Sequence, residues 1–227
     1  MQAELVRHYQ LETSKVRVIP MAPAVDAYPS VSQTHLRSVR EKYGLLDPFL
    51  LYPAQTHPHK NHIGLIEALS QLRRRNEIRP AIVCTGMQTG FFSRIQKALK
   101  AHSMENQVRF LGFIPPADLQ CMYQLCQFMI FPSRYEGWGL PITEALRLGV
   151  PIACADLMVF KEQAKNAALF FDPACPDDIA DAIERLWKDE QLRHALAERG
   201  KVVASQYSWH KTAKMFRAHY RWLAGRR

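Results

Sequence analysis

The chain has 227 residues, 48% hydrophobic and 22% charged, a balance that suits a packed domain and excludes a disordered polyampholyte. No apolar run approaches a membrane span, and residues 1–10 are polar, without the apolar core of a secretory signal. The formal charge of +9 invites a polyanion partner, yet the basic residues are scattered, and the clusters Arg73-Arg74-Arg75 and Arg226-Arg227 carry no interleaved stacking aromatics. Cations complementing helix ends are the simpler reading, and no nucleic-acid partner is expected.

In chain order, a first strand is expected over 49–52, followed by His57-Pro58-His59-Lys60-Asn61 and a helix whose apolar face is marked by Ile63, Ile66 and Leu69. Asn61 is placed as its N-cap. The Lys60 ammonium opposes the helix dipole unless an anion is shared between them, so Lys60 reads as a phosphate ligand, with a solvent-facing lysine as the alternative. Further strands fall over 81–84, 108–111, 128–131, 151–154 and 169–171, separated by helices marked by Ile95, Ala98 and Leu99, then by Leu119, Met122, Tyr123 and Cys126. This alternation predicts an α/β protein with a Rossmann-like, doubly wound parallel sheet. Ligands of such sheets bind outside the carboxyl ends of the strands, the edge that carries Gly86, Phe113, Ile114 and Glu136. The end of the chain is a helical extension over 177–188, 190–206 and 209–223, the last with an apolar stripe of Trp209, Thr212, Ala213, Phe216, Tyr220 and Leu223.

The stretch Phe131-Pro132-Ser133-Arg134-Tyr135-Glu136-Gly137-Trp138-Gly139-Leu140-Pro141-Ile142-Thr143-Glu144-Ala145 carries the most chemistry. Pro132 and Ser133 end a buried strand, Gly137 and Gly139 let the backbone approach a ligand, and Pro141 suits the first turn of a helix that stops at Gly149. A helix start offers unpaired N–H groups and positive potential to a phosphate, while the Glu136 and Glu144 carboxylates accept hydrogen bonds from sugar hydroxyls. A glycine-rich turn whose glutamates only favour the dipole fits the same spacing. His57, His59 and His62 lack a neighbouring carboxylate or cysteine, and the five cysteines, Cys84, Cys121, Cys126, Cys154 and Cys175, form no C-x-x-C pair. No metal site is expected, and the cysteines read as reduced core residues.

The pattern from Ser133 to Ala145, S-x-x-E-G-x-G-L-P-x-x-E-A, resembles the signature of retaining glycosyltransferases of family 4, which have the two-domain GT-B fold. The resemblance continues, in family order, through Leu50-Leu51-Tyr52-Pro53-Ala54-Gln55 with His59-Lys60-Asn61-His62, then Val108-Arg109-Phe110-Leu111-Gly112-Phe113-Ile114-Pro115, then Ala167-Ala168-Leu169-Phe170-Phe171-Asp172-Pro173, and finally Ser208-Trp209. It implies a C-terminal, donor-binding half of such an enzyme. Residues 1–45 would be a remnant of the inter-domain strand and linker, residues 46–207 the nucleotide-sugar-binding Rossmann-like domain, and residues 208–227 a crossover helix. The missing acceptor half points to a natural fragment, a split-gene product or a truncated sequence.

By the same resemblance, the backbone at Phe113 and Ile114 faces the nucleobase and Glu144 holds the ribose. Glu136 takes the transferred hexose. The amides of Gly137, Trp138, Gly139 and Leu140 face hexose and diphosphate, and Lys60 contacts the diphosphate, with Gly86 lining the same edge. Arg134, Tyr135 and Trp138 are candidates for specificity. The family's upstream arginine is replaced here by Ala54-Gln55-Thr56-His57, so one phosphate clamp is missing or taken by a histidine. The implied activity is transfer of a hexose, mannose favoured, from a GDP- or UDP-sugar to a glycan or lipid-linked acceptor, with the nucleotide-sugar as substrate and no cofactor. The alternative is a catalytically silent nucleotide-sugar-binding module or a subunit of a split transferase. The implied partners are a separate N-terminal half or subunit and a peripheral contact with the inner membrane face of the cytoplasm.

Overall fold

The computed structural model describes residues 2–75 and 78–225. Six strands, β1 Phe49–Pro53, β2 Ala81–Thr85, β3 Val108–Phe110, β4 Phe128–Phe131, β5 Ile152–Ala155 and β6 Leu169–Phe171, form one parallel sheet in the order β3-β2-β1-β4-β5-β6. Around it run α1 Gln2–Tyr9, α2 Gln33–Tyr43, α3 His62–Arg75, α4 Phe92–His102, α5 Pro116–Leu125, α6 Leu140–Leu148, α7 Met158–Ala164, α8 Pro176–Lys188, α9 Glu190–Ala204 and α10 Trp209–Ala224. Every residue of β1 and β4 is buried, as expected of central strands covered on both faces. Leu50 lies level with Ile82 on one side and with Phe128 on the other.

From β1 the chain winds outward through β2 and β3, then returns to β4 and winds the other way through β5 and β6. The loops after β1 and β4 therefore diverge to opposite faces and leave a crevice between them. The predicted strands are all present, displaced by at most one residue at an end. Pro141 sits in the first turn of α6, and Gly149 ends that helix with a left-handed φ of 67°.

Two features differ from expectation. The α10 stripe does not act as one surface. Thr212 is buried and donates from Oγ1 to the Pro20 carbonyl at 2.7 Å, Trp209 donates from Nε1 to Pro23 at 3.1 Å, and Trp222 lies under the Arg17 guanidinium. Phe216, Tyr220 and Leu223 are exposed. Segment 16–23 thus takes Trp209 and Thr212 from the predicted stripe together with Trp222 beside it. The second difference concerns the arginine cluster, which is more than a solvated helix end. Arg73 donates to the His102 and Ser103 carbonyls at 2.8 and 2.9 Å, and Arg75 pairs with Asp177 and Asp181, so the end of α3 is clamped to α4 and α8. Arg226 and Arg227 lie outside the described residues. Cys84, Cys121 and Cys154 are buried thiols, and burial pushes the Cys121 thiol up to about 11.

Candidate functional site

The floor of the crevice is built from the β1 loop. Tyr52, fully buried at the end of β1, donates its hydroxyl to the Lys60 carbonyl and so fixes the turn Pro58–Lys60 against the sheet. Asn61 follows with a left-handed φ of 59°, where an N-cap residue is ordinarily extended. Its carbonyl accepts the Leu65 N–H at 3.1 Å, as an N-cap carbonyl does, but its side-chain amide donates to the Pro173 carbonyl at 2.8 Å. The Asn61 amide lies so close over the first turn of α3 that a β-carbon at Gly64 would stand 2.6 Å from its oxygen. A side chain at position 64 would therefore displace the Asn61 amide.

In the stretch Ala54-Gln55-Thr56-His57 the loop is braced by a threonine pair that the sequence did not signal. The Thr89 hydroxyl donates to the Thr56 carbonyl at 2.6 Å, and the Thr89 N–H donates to the Thr56 hydroxyl at 2.7 Å. Gly86, with φ 116°, brings the β2 loop against the same strand end, where a β-carbon would lie 2.7 Å from the Ala54 carbonyl carbon. Its role is thereby explained by close backbone approach. The three histidines do not converge. His57 and His59 stack at 5.7 Å, whereas His62 turns inward between Tyr52 and Phe110, at 4.6 and 5.7 Å. Burial lowers the His62 pKa to about 3, with Lys60 adding to the effect, so the ring is neutral.

The loop after β4 closes the other wall. The Arg134 N–H donates to the His59 carbonyl at 2.8 Å, and the Lys60 ammonium pairs with the Glu136 carboxylate, so the two loops that diverge at the switch point are tied together by backbone and by charge. Both side chains are mostly shielded, at 16% and 11% exposure, which strengthens the pair and makes each partner costly to lose. Lys60 also lies over the Phe131 ring at 5.3 Å. Gly139 takes a φ of 84° at the start of α6, where a β-carbon would strike Phe160 at 2.7 Å. Trp138 packs edge-on to Tyr207, while Tyr135 and Arg134 face outward.

Glu144 lies one turn into α6 and is buried. The Tyr123 hydroxyl donates to its Oε2 at 2.8 Å, and the Ala24 backbone N–H donates to the same carboxylate. Burial raises the Glu144 pKa, and these two hydrogen bonds work in the opposite direction. The Tyr123 hydroxyl is itself held well above its ordinary value by burial and by the adjacent carboxylate. The segment before α2 is anchored at the same place, since Asp26 pairs with Arg147 of α6 at 3.1 Å. Beyond β3, Ile114 is buried and Phe113 is 77% exposed. Lys60 and Glu136 thus meet directly at the crevice, and the 137–140 loop follows Glu136 in the chain. Glu144 stands behind it in a buried hydrogen-bond set, and Phe113, Ile114 and Gly86 occupy neighbouring strand ends.

A crevice of this kind, with an ammonium, a carboxylate and a helix start at the switch point of a 3-2-1-4-5-6 sheet, is suited to a polyhydroxylated, phosphorylated ligand. Residues 38–203 match the family model described as glycosyl transferases group 1. The chain belongs to the group 1 glycosyl transferases. Among similar proteins of this group, the O-antigen chain mannosyltransferase B of Escherichia coli is 29% identical over 209 residues, covering 92% of this chain and 55% of that protein. The D-inositol 3-phosphate glycosyltransferase of Corynebacterium jeikeium is 27% identical, covering 96% and 54%. The chain thus spans about half the length of these relatives. In fold it is similar to a glycosyltransferase of Rickettsia africae, with a TM-score of 0.86 at 19% identity, covering 96% of this chain and 60% of that one. It is also similar to the Anabaena protein HepE solved with UDP and glucose, with a TM-score of 0.84 at 20% identity and the same coverage. No helix among the described residues is long and apolar enough to cross a membrane.

Proposed function

We propose that the crevice binds the nucleoside diphosphate of an activated hexose, and that the chain is the C-terminal, donor-binding half of a retaining family 4 hexosyltransferase, mannose favoured, acting on a glycan or lipid-linked acceptor. The observation that carries this reading is the Lys60–Glu136 pair across the switch point, beside the start of α6. An incoming diphosphate competes with Glu136 for the Lys60 ammonium, and the released carboxylate turns to the hexose hydroxyls. As the glycosidic bond breaks, negative charge grows on the leaving nucleoside diphosphate. Lys60 and the amides of the 137–140 loop stabilise that charge in this reading. Glu136 accepts hydrogen bonds from the sugar and offers a negative field to positive charge developing at the anomeric carbon. Glu144, reached by the ribose, exchanges its Ala24 partner for a ribose hydroxyl.

Mannose is favoured because the mannosyltransferases of Escherichia coli are among the relatives, and a GDP- or UDP-sugar is the donor class. Acceptor groups are supplied by a further half, in the same protein or in a separate subunit. The test is a thermal-shift titration of the wild type, Lys60→Gln and Glu144→Gln with GDP, UDP, ADP and their common sugar conjugates. A ligand that binds only the folded protein raises the melting temperature, by about 2.7 kcal/mol of added stability at a hundredfold excess over Kd. A shift with one nucleotide family that is reduced in both variants supports the reading. An equal shift in the variants, or none in the wild type, refutes it.

A further inference from the structure

The peptide unit between Pro23 and Ala24 is engaged at both ends. Its carbonyl, on Pro23, accepts the Trp209 indole N–H from the first turn of α10 at 3.1 Å, while the Ala24 N–H faces the Glu144 carboxylate of α6. A peptide plane moves as a unit, so one amide links the start of α10 to Glu144. The neighbouring contacts hold it in place. Asp26 pairs with Arg147 at 3.1 Å, and the same Arg147 nitrogen donates to the Tyr207 carbonyl at 2.6 Å, two residues before Trp209. On the other side Thr212 donates to the Pro20 carbonyl at 2.7 Å. Pro23 is fixed at φ −66° and ψ 141°, and Val25 is buried, which leaves the segment few other positions.

An amide N–H on this carboxylate stands where a ribose hydroxyl would, since each donates one hydrogen bond to it. The Tyr123 hydroxyl already occupies Oε2, and Glu144 is 8% exposed, so there is little room for a third donor. We propose that the Pro23–Ala24 peptide is a built-in competitor in the ribose seat of Glu144, and that Trp209 is the positioning residue that holds it there. The inference rests on the donor reading of Glu144. The coupling runs both ways. A nucleotide that lifts the peptide from Glu144 loosens Trp209 and the start of α10, and loss of the Trp209 hydrogen bond eases the entry of the ribose. Trp209 therefore lowers nucleotide affinity, the reverse of what a residue that only braces the fold would do.

The test uses GDP, UDP and ADP, with inorganic pyrophosphate as a probe that lacks the ribose. Calorimetry gives the dissociation constants, and the Trp209 indole N–H is followed in protein labelled with nitrogen-15. The four tryptophans give four indole signals. That of Trp209 is the one lost in Trp209→Phe, or, if that variant does not fold, the one left unassigned by Trp138→Phe, Trp187→Phe and Trp222→Phe. The expected result is a Trp209 signal that shifts in step with nucleotide binding and stays in place with pyrophosphate. Trp209→Phe should bind the nucleotide about threefold to tenfold more tightly, the contribution of one neutral hydrogen bond, and pyrophosphate as the wild type does. A nucleotide that binds the wild type without moving the Trp209 signal, or that binds Trp209→Phe equally or more weakly, overturns the proposal and leaves the donor reading standing. A shift produced equally by pyrophosphate also overturns it, because no ribose is then involved. A wild type that binds none of the three nucleotides, or whose binding is unchanged in Glu144→Gln, overturns the donor reading and this inference with it.

Discussion

Tyr123→Phe isolates one hydrogen bond in a setting where its magnitude can be worked out. Tyr123 is fully buried, and its hydroxyl donates at 2.8 Å to a Glu144 carboxylate that is itself only 8% exposed. Phenylalanine keeps the packing of the ring and removes only the donor. A hydrogen bond to a charged group contributes about 1.5–3 kcal/mol and one between neutral groups about 0.5–1.5 kcal/mol. The loss is about 2 kcal/mol where Glu144 is ionised and about 1 kcal/mol where it is protonated, and about 2 kcal/mol corresponds to about 4–8 °C in melting temperature for a domain of this size. The sign of the pH dependence follows from Glu144. Its folded pKa is raised by burial, so in the wild type this group erodes stability as pH rises from the unfolded value through the folded one. Removing the Tyr123 donor raises that pKa further. The variant's deficit is therefore largest above the folded Glu144 value and falls to about 1 kcal/mol at acid pH, where Glu144 is protonated in both proteins. Urea unfolding of both proteins across this pH range measures it. A deficit below about 0.5 kcal/mol throughout, or one that does not grow as pH rises, refutes the hydrogen bond from Tyr123 to a titrating Glu144.

Three further outcomes are expected. Gly86→Ala combines a φ of 116° with a β-carbon 2.7 Å from the Ala54 backbone, and it should destabilise by about 2–4 kcal/mol in thermal or urea unfolding. His62 is held neutral by a pKa of about 3, so it takes up a proton only on unfolding between the ordinary histidine value and that pKa, and its stabilising effect is lost as pH falls through the window. His62→Phe should remove up to about 1.4 kcal/mol per pH unit from the acid-side slope, and it should cost little at pH 7 because both ring nitrogens are unpaired among the described residues. Lys60→Ala leaves the shielded Glu136 carboxylate without its cation and should cost about 1–3 kcal/mol, partly recovered in Lys60→Ala/Glu136→Ala. Additive losses in that double-mutant cycle count against a direct pair.

The sheet was legible because its signal is local. Phe128 to Phe131 and Phe49 to Tyr52 are unbroken apolar runs of strand length, and Pro141 and Gly149 mark the limits of α6 by their own backbone preferences. The Lys60–Glu136 pair was not read from the sequence; it follows from the strand order, which places the two loops side by side. What escaped was long-range or directional. Nothing near Glu144 points to the Ala24 N–H, a partner 120 residues away in the chain. His62 looks like any polar residue at a helix start until the neighbouring turn rotates it onto Tyr52 and Phe110. The Thr56–Thr89 brace joins two loops whose sequences carry no shared motif. On α10 the periodicity was legible, but nothing in it showed that segment 16–23 takes Trp209 and Thr212 and leaves Phe216, Tyr220 and Leu223 exposed.

The most direct test of the central claim is a crystal structure of the protein soaked with the nucleotide that gives the largest thermal shift. The expected result is the diphosphate between Lys60 and the start of α6, the Lys60–Glu136 pair opened, and the ribose on Glu144 in place of the Ala24 N–H. A nucleotide bound elsewhere, or one bound with the Lys60–Glu136 pair and the Glu144–Ala24 contact both intact, contradicts it.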